Sequence, residues 1–494
     1  MSTEIKMKKH YGMLKLLIGG EWVESKSTKI QKSYNPVTGE EIAEFPEATK
    51  EEARAAVEAA QKAFLVWKNV PLRERARLLF DLRGFLDANE EELSRILSQD
   101  HGRTIGEARG SIRRSIENVE SACSAAYRLV RDNEHLDSLA NGIDQTLVWE
   151  PLGPFLVVTP GNIPVHAWSS FVPYALATGC TVVVSPSRQD PVAADAIARA
   201  ATAVGFPPGC INLVHGGRHI NKYILDQPEI QGVGFIGSTP AGWDLYKQCG
   251  ELGKVSSLNG NGKNNVVIMD DADMDQVAQW LLRSCFGMGG QRCLGSDNVI
   301  FVGERYEELK EKFVAAAKSL KLGDGLDEST GLGPMCTQAG KDKVIDFIGR
   351  ALDEGCQMVL DGRNPVVEGC ENGYFLAPTI MENGNPDMET SKEESFGPVA
   401  VLMRAKDLDE ALDWINNKTN YGHSACIFTA SGKAARKFSK EAIVGNVGIN
   451  VAVPQPYAFF PLGSKRESFL GSAKSRMASL RLFLDEKTIT SRWV

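Results

Sequence analysis

Long apolar runs are missing from this chain of 494 residues. A membrane helix needs about 20 consecutive apolar residues, whereas the basic N-terminal segment MSTEIKMKKHYGMLKLLIGG has only a short apolar run that Lys15 interrupts. That segment also lacks the apolar stretch and the small-residue cleavage site of a secretory signal. The sequence therefore predicts no membrane association and no export.

Clustered metal ligands and paired cysteines are missing as well. The ten cysteines are scattered from Cys123 to Cys426 without a C-x-x-C pair, and the seven histidines do not cluster. Disulfide frameworks and zinc sites both depend on such regular spacing. The pattern therefore predicts reduced thiols, no metal site and a cytoplasmic protein.

An excess of positive charge is also absent. The net charge is -8, which argues against nucleic acid and acidic membrane surfaces as partners. Hydrophobic residues make up 43% and charged residues 24% of the chain, as is usual for globular proteins. Its length suffices for two or three domains, each with its own core.

Short apolar runs alternate with helical patterns through most of the sequence. Continuous apolar runs, typical of strands in a parallel sheet covered on both faces, lie at 155–160, 181–186, 211–216, 233–238, 264–270, 298–303, 398–405 and 424–430. Helical patterns lie between them, as at 191–205, and before them at 50–70 and 73–100. The alternation predicts two doubly wound α/β lobes, with strand-like segments at 141–153 and 481–494 outside both.

One thiol has unusual neighbours. In GMGGQRCLGS (287–296), Cys293 follows Arg292 and a run of glycines. A neighbouring cation lowers the pKa of a thiol, and the resulting thiolate attacks carbonyl carbon, while glycine allows a tight bend or a close approach. A buried structural cysteine is the alternative reading of Cys293.

Two other segments offer groups that such a nucleophile needs. TPGNIP (159–164) carries Asn162, whose amide is suited to stabilise an oxyanion, although Pro-Gly-Asn also forms ordinary turns. The usual G-x-G-x-x-G fingerprint of dinucleotide sites is absent. FIGSTPAG (235–242) takes its place as a strand, a turn and a helix N-terminus that could hold phosphates.

Taken together, these segments resemble the aldehyde dehydrogenase superfamily over nearly the whole chain. The motifs PGNIP, FIGSTPAG, LNGNGKN, GQRC and EESFGP stand in the order that the superfamily has them. The resemblance implies an α/β fold with a cofactor-binding lobe, a catalytic lobe and a small β arm for oligomerisation. It also implies that the Cys293 thiolate attacks an aldehyde, that hydride passes to NAD or NADP, and that a thioester remains.

The resemblance also assigns site residues. The oxyanion donors are Asn162 and the backbone N–H of Cys293. The residues expected to bind the nicotinamide cofactor are Pro160, Ser185, Arg188, Gly237, Ser238, Glu394 and Phe396.

Asn259 departs from the superfamily pattern. Hydrolytic members carry a glutamate there, in a motif like L-E-L-G-G-K, whereas this chain has LNGNGK (258–263). An amide cannot act as the general base that activates water. The same asparagine is typical of the methylmalonate-semialdehyde dehydrogenase branch, in which coenzyme A takes the acyl group. A dehydrogenase that releases a free acid, and a non-catalytic relative with a structural or binding role, remain alternatives.

Two arginines of that branch hold the carboxylate of a semialdehyde, a task that suits the planar guanidinium. Arg292 matches one of them and Arg114 the other, with Arg113 as a competing neighbour. Malonate and methylmalonate semialdehydes are the implied substrates, and they would lose carbon dioxide after the thioester forms. A dianionic or sulfonated aldehyde could use the same two arginines.

The segment expected to bind the adenosine ribose of the cofactor differs from the pattern of this branch. Where the superfamily usually has Lys-Pro-Ser-Glu, this chain has Ser185, Pro186, Ser187 and Arg188. The ribose clamp is therefore lost, and a cation replaces an anion that would repel a 2′-phosphate. The change favours NADP, or it leaves a looser site for NAD.

The resemblance also divides the chain. It predicts a dinucleotide-binding domain at 1–135 and 154–258, a catalytic domain at 259–460, and an oligomerisation arm at 136–153 and 475–494. Exposed strands of such an arm would be unpaired sheet edges. We therefore expect a homodimer or a homotetramer.

Overall fold

The computed structural model describes residues 5–125, 128–129 and 133–493. Its helices are α1 (Lys50–Trp67), α2 (Leu72–Ala88), α3 (Glu90–His101), α4 (Ile105–Cys123), α5 (Pro164–Ser169), α6 (Val172–Thr178), α7 (Pro191–Ala203), α8 (Arg218–Asp226), α9 (Thr239–Leu252), α10 (Met274–Leu281), α11 (Tyr306–Lys318), α12 (Gln338–Asp353), α13 (Leu408–Asn417) and α14 (Gly432–Glu441).

The strands up to the middle of the chain are β1 (Leu16–Ile18), β2 (Glu21–Val23), β3 (Ile30–Tyr34), β4 (Glu41–Pro46), β5 (Glu134–Ala140), β6 (Ile143–Pro151), β7 (Pro154–Val158), β8 (Thr181–Ser185), β9 (Ile211–Leu213), β10 (Gly232–Ile236) and β11 (Val255–Asn259). The later strands are β12 (Asn264–Met269), β13 (Ser296–Val302), β14 (Gln357–Leu360), β15 (Thr379–Gly384), β16 (Val399–Ala405), β17 (Tyr421–Gly422), β18 (Ser424–Phe428), β19 (Asn446–Ile449), β20 (Lys465–Arg466), β21 (Phe469–Gly471) and β22 (Leu484–Arg492).

The first large sheet has the order β2-β1-β9-β8-β7-β10-β11-β21. Its five central strands are parallel, and β7, β8 and β10 are buried along their whole length. Uninterrupted burial matches the continuous apolar runs, because helices cover both faces of such a sheet.

The second large sheet has the order β14-β15-β16-β13-β12-β18-β19 and is parallel except for β14. β12 begins five residues after β11 ends, so the short connection 260–263 leads directly from the first sheet into the second. The carboxyl edge of the first sheet therefore meets the amino edge of the second. The predicted pair of α/β lobes is confirmed.

A third sheet lies outside both lobes, in the order β22-β6-β5. It contains the two strand-like segments that the sequence indicated. Residues 476–482 form a 3₁₀ helix, not an arm strand, and Met477, Leu480 and Leu482 are buried in the core of the first lobe. The domain boundaries stay a prediction, with the arm strand itself beginning at Leu484.

Helix starts near the site follow from local sequence. Thr104 caps α4 by accepting from the backbone N–H of Glu107, whose side chain accepts from the Thr104 N–H in return. Such a capping box satisfies two N–H groups at the helix start. It also fixes the Glu107 carboxylate at the wall of the cavity described below. Among the described helices, none combines the length and the apolar character that crossing a membrane requires.

Candidate active site

Cys293 lies in the loop between a 3₁₀ turn (Gly287–Gly290) and β13, at a cavity of about 870 Å³. Asn264, at the start of β12, holds this loop by donating to the carbonyl oxygens of Cys293 (2.8 Å) and Gly295 (2.7 Å). Gly290 has a φ of +71°, and a Cβ there would lie 1.8 Å from the carbonyl oxygen of Gly397. The glycine run therefore lets the thiol loop pack directly against the segment that precedes β16.

The surroundings of the thiol keep it protonated near neutral pH. The pKa of Cys293 is raised to about 11, first by burial and second by the Glu394 carboxylate, while the Arg476 guanidinium acts to lower it. Arg292, which the sequence predicts for that role, binds Glu107 (3.3 Å) and the carbonyl oxygen of Arg283. The cation acting on the thiol thus comes from a segment that is remote in sequence.

Asn162 is brought to the same cavity as Cys293. Its Nδ2 donates to the carbonyl oxygen of Gln291 (2.9 Å), two residues before the thiol. The backbone carbonyl oxygen of Asn162 accepts from the Arg103 guanidinium. An amide group has two N–H donors, so one is left for a substrate oxygen. The oxyanion role of Asn162 stays a prediction, and this position is compatible with it.

The predicted cofactor residues gather at the carboxyl edge of the first sheet. Pro160 follows β7, Ser185 ends β8, and Gly237 and Ser238 lead from β10 into α9. The Ser238 side chain does not cap α9, and the buried Ser185 hydroxyl has no hydrogen-bond partner within the described ranges. A helix N-terminus and an unpaired hydroxyl at a sheet edge suit a phosphorylated ligand.

Arg188 lies further out on the same edge and is about half exposed. Its guanidinium donates to Glu47 (2.9 Å) and to the carbonyl oxygen of Gly216 (3.1 Å). It is therefore held at the rim by one carboxylate, with its remaining N–H groups open to solvent.

Glu394 and Phe396 approach this edge from the second lobe. The Glu394 carboxylate accepts from the Asn261 amide and from the backbone N–H of Gly262 (3.3 Å), and burial raises its pKa to about 8. Phe396 has a φ of +49°, which is rare for a residue with a side chain. The sharp turn there brings Glu394 to the connection between the two sheets.

Asn261 is a contact that the sequence did not predict. Its Oδ1 accepts from the backbone N–H of Thr239 at the start of α9 (2.7 Å), while its Nδ2 binds Glu394. It thus links the phosphate end of the expected cofactor site to the carboxylate. The signal in the sequence was an asparagine where L-E-L-G-G-K has its first glycine.

Asn259, at the end of β11, is buried, and its backbone oxygen accepts from Gly237. Neither amide atom of its side chain has a hydrogen-bond partner in the part of the chain that is described. Buried amides are normally hydrogen-bonded. The position where hydrolytic relatives carry a base therefore holds an unpaired amide.

The two arginines predicted to hold the substrate carboxylate both line the cavity. Arg114 pairs with Glu117 (2.8 Å) and lies over the ring of Tyr457 (4.2 Å), and Arg292 pairs with Glu107. Arg113 instead points outward and binds Glu90 (2.7 Å). The structure therefore favours Arg114 over its neighbour, but Arg114 and Arg292 each already have a carboxylate partner.

Within the described ranges, one group of side chains has metal-ligand chemistry: His101, Asp190 and Cys336. All three are buried, and none lines the cavity. The Arg103 guanidinium acts electrostatically on each of them and would repel a cation. Cys336 instead donates to Asp190 (3.1 Å), whereas neither ring nitrogen of His101 has a hydrogen-bond partner among the described residues.

Replacing Glu394 by glutamine is expected to make Cys293 more reactive in alkaline solution. Removing the carboxylate removes a charge that opposes thiolate formation, so the pKa of Cys293 falls. The effect should grow above about pH 8, where Glu394 ionises. The measurement is the rate of Cys293 alkylation by iodoacetamide against pH, followed by peptide mass spectrometry.

E393Q is the matched control, because Glu393 is about half exposed and binds Arg350. Its pH profile should coincide with that of the unmodified protein. Superimposable profiles for E394Q and the unmodified protein would contradict the electrostatic coupling.

Comparisons with known proteins agree with this geometry. The model of the aldehyde dehydrogenase family matches residues 22–489. Malonate-semialdehyde dehydrogenase 2 of Geobacillus kaustophilus is 37% identical over 100% of both chains. The acylating mitochondrial methylmalonate-semialdehyde dehydrogenase of Arabidopsis thaliana is 37% identical over 97% of this chain and 78% of its own. The crystal structure of a methylmalonate-semialdehyde dehydrogenase from Oceanimonas doudoroffii superimposes with a TM-score of 0.95 at 34% identity, covering 98% of this chain and 99% of its own. The chain therefore belongs to the aldehyde dehydrogenase family.

Proposed function

We propose that the protein oxidises a carboxylated semialdehyde, reduces NAD(P), and transfers the acyl group to coenzyme A. The observation that carries the proposal is the placement of Cys293 and Asn162 at one cavity, with an asparagine, Asn259, at the position of the hydrolytic base. The similar malonate- and methylmalonate-semialdehyde dehydrogenases support the same substrate class.

The reaction begins at the thiol. Cys293 releases its proton to solvent, its thiolate Sγ attacks the aldehyde carbon, and the carbonyl oxygen accepts hydrogen bonds from Asn162 Nδ2 and from the Cys293 N–H. When bound, NAD(P) would supply the hydride acceptor that oxidation of the Cys293 adduct to a thioester requires. Gly237 and Ser238 would hold its phosphates at the start of α9, because a helix N-terminus favours anions, and Pro160 would also contact the cofactor.

The fate of the thioester depends on Asn259. Because its amide cannot take a proton from water, hydrolysis is slow. The thiol of coenzyme A is a better nucleophile than water and needs no base of that strength. The acyl group therefore leaves Cys293 as a new thioester, and the thiol is regenerated.

The nicotinamide cofactor is proposed to include NADP. Arg188 is bound by one carboxylate, Glu47, at the rim of the site, and a 2′-phosphate would compete with that carboxylate for the guanidinium. Arg188→Glu is expected to lower kcat/KM for NADP by about 10- to 150-fold, the value of a charge-assisted hydrogen bond, while kcat/KM for NAD changes little.

R73E is the control for this change. Arg73 is exposed near the start of α2, outside the site, so reversing its charge should leave the ratio of kcat/KM for the two cofactors unchanged. An R188E enzyme that keeps the original ratio would show that Arg188 takes no part in cofactor choice.

Assembly and location are proposed from the arm and the thiols. Strands β5 and β22 lie at the edges of the arm sheet, and Leu136, Leu139, Ile489 and Trp493 are exposed there. Pairing between copies would cover these edges, which supports a homodimer or a homotetramer. All ten cysteines are free, which supports a reducing, cytoplasmic location.

The test of the proposed function is reduction of NAD and of NADP by malonate and methylmalonate semialdehydes, with and without coenzyme A. Steady turnover that requires coenzyme A, with acyl-coenzyme A as product, is the expected result. Equal turnover without it would establish a hydrolytic dehydrogenase. Absence of both turnover and cofactor binding would favour a non-catalytic relative.

A further inference from the structure

Arg476 is one of four arginines that line the cavity of Cys293, together with Arg114, Arg292 and the exposed Arg283. Its side chain is 2% exposed, and it opens the 3₁₀ helix Arg476–Leu482 with a φ of +65°. Residues with a side chain are strained at such φ values, and burying a cation is costly in itself. A position that carries both costs is a candidate for a functional role.

The hydrogen bonds of Arg476 leave much of its binding capacity unused. Its terminal nitrogens donate to the carbonyl oxygen of Pro456 and to Nε2 of His166 (3.2 Å), and its buried Nε has no partner in the described part of the chain. Two of its five N–H donors are therefore used. Among the residues that the structure describes, no carboxylate forms an ion pair with it, in contrast to Arg114 and Arg292.

His166 fixes the guanidinium without neutralising it. The ring is buried, and burial together with the Arg476, Arg114 and Arg103 guanidiniums holds the pKa of His166 well below its usual value. The neutral ring accepts a hydrogen bond at Nε2 and carries no charge to offset that of Arg476. The Arg476 guanidinium is thus held in one orientation, and its charge remains available to bind an anion.

We propose that Arg476 binds the carboxylate of the aldehyde substrate beside Cys293 and so determines specificity for short anionic aldehydes. This inference rests on the proposed function and assigns to it an anchor that the sequence did not predict. A carboxylate in this place would satisfy the Nε–H and one terminal N–H with two parallel hydrogen bonds. Arg114 and Arg292, already paired with glutamates, then form the cavity wall around it.

The same geometry selects against neutral aldehydes. A buried cation without a counter-ion is unfavourable, and only an anionic ligand removes that cost. Discrimination of this kind arises because the wrong ligand leaves a charged group of the site unpaired. We therefore expect Arg476 to affect KM for anionic aldehydes far more than kcat.

Steady-state kinetics of Arg476→Met test this expectation with malonate semialdehyde and with isovaleraldehyde, in which an isopropyl group replaces the carboxylate. R476M should lower kcat/KM for malonate semialdehyde by about 10- to 150-fold, mainly through KM, and should not lower kcat/KM for isovaleraldehyde. R476K keeps the charge without the planar guanidinium, so its kcat/KM for malonate semialdehyde should lie between those of the unmodified protein and R476M. R481M is the matched control, because Arg481 is exposed on the same 3₁₀ helix.

An equal loss for both aldehydes, carried by kcat, would overturn the proposal, since Arg476 would then act on the thiolate alone. R476G provides the same removal of charge if R476M does not fold, because glycine adopts a φ of +65° without strain. The kinetic comparison is then made with R476G.

A second measurement separates this inference from the proposed function. Iodoacetate and iodoacetamide alkylate Cys293 by the same step, in which the thiolate forms an S–C bond and iodide leaves with the bonding electron pair. The two reagents differ in charge, so the ratio of their rate constants reports a cation beside the thiol and requires no turnover. R476M should lower the iodoacetate-to-iodoacetamide ratio about tenfold or more, and R481M should not change it.

An unchanged ratio in R476M would overturn the carboxylate anchor whatever the enzyme turns over. Suppose that the unmodified protein oxidises no semialdehyde, but reacts preferentially with iodoacetate, and that R476M lacks this preference. The proposed function then fails and the anion site at Arg476 stands. The two failures are therefore distinguishable.

Discussion

Cys293→Ala is expected to abolish aldehyde-dependent reduction of NAD(P), lowering kcat by at least about 10³-fold, as loss of a covalent nucleophile does. The thiol is the nucleophilic side chain of the cavity that Asn162 and the Arg476 guanidinium share. Without it, no adduct forms from which hydride could leave. Cofactor binding should persist, because the residues at the carboxyl edge of the first sheet are untouched. Initial rates and a cofactor titration by fluorescence measure the two effects separately.

C370A is the matched control for the loss of a thiol. Cys370 is the other partly exposed cysteine of the chain, and it lies away from the cavity. Its replacement should leave kcat unchanged. Activity retained in C293A would exclude the thioester route, whereas loss of activity in C370A would show that removing a thiol perturbs the protein in a way unrelated to Cys293.

The sequence could predict those parts of the site that strand ends position. A buried parallel strand is recognisable from its apolar run, and ligands bind beyond the carboxyl ends of such strands. Pro160, Ser185, Gly237 and Asn259 all lie at or just beyond such ends. Their grouping at one edge therefore follows from the pattern, although their individual roles came from the resemblance.

The contacts that the sequence missed are long-range ones. Arg476 reaches the thiol cavity from a segment predicted to belong to the arm, and its partners His166 and Pro456 are 310 and 20 residues away. No periodicity links such positions. The sequence predicts that Arg292 lowers the pKa of Cys293 because the two residues are adjacent, but adjacent side chains point in different directions, and that of Arg292 pairs with Glu107.

The connection between the sheets explains why one site depends on both lobes. Asn259 ends β11, Asn264 begins β12 and binds the thiol loop, and Asn261 between them links Glu394 to α9. A segment of six residues thus fixes the thiol, the carboxylate and the helix N-terminus relative to one another. Replacing the motif glutamate within this segment changes the chemistry and leaves the connection intact.

Asn259→Glu is accordingly expected to give the enzyme a hydrolytic activity. The side chain is buried and its amide has no hydrogen-bond partner among the described residues, so a carboxyl group there breaks no existing side-chain hydrogen bond. Burial raises the pKa of a carboxyl group, which brings it closer to that of an effective general base. The steady rate of free-acid formation without coenzyme A should rise about 10²-fold, the lower range for general base catalysis.

N259Q separates the effect of a basic carboxylate from the effect of side-chain length, because glutamine has the length of glutamate and cannot take the proton. It should stay dependent on coenzyme A, while N259E loses that dependence. Quantifying free acid and acyl-coenzyme A by chromatography at equal enzyme concentration gives the partition directly. If the unmodified protein already releases free acid as fast as N259E, Asn259 does not control the acceptor, and another group of the site activates water.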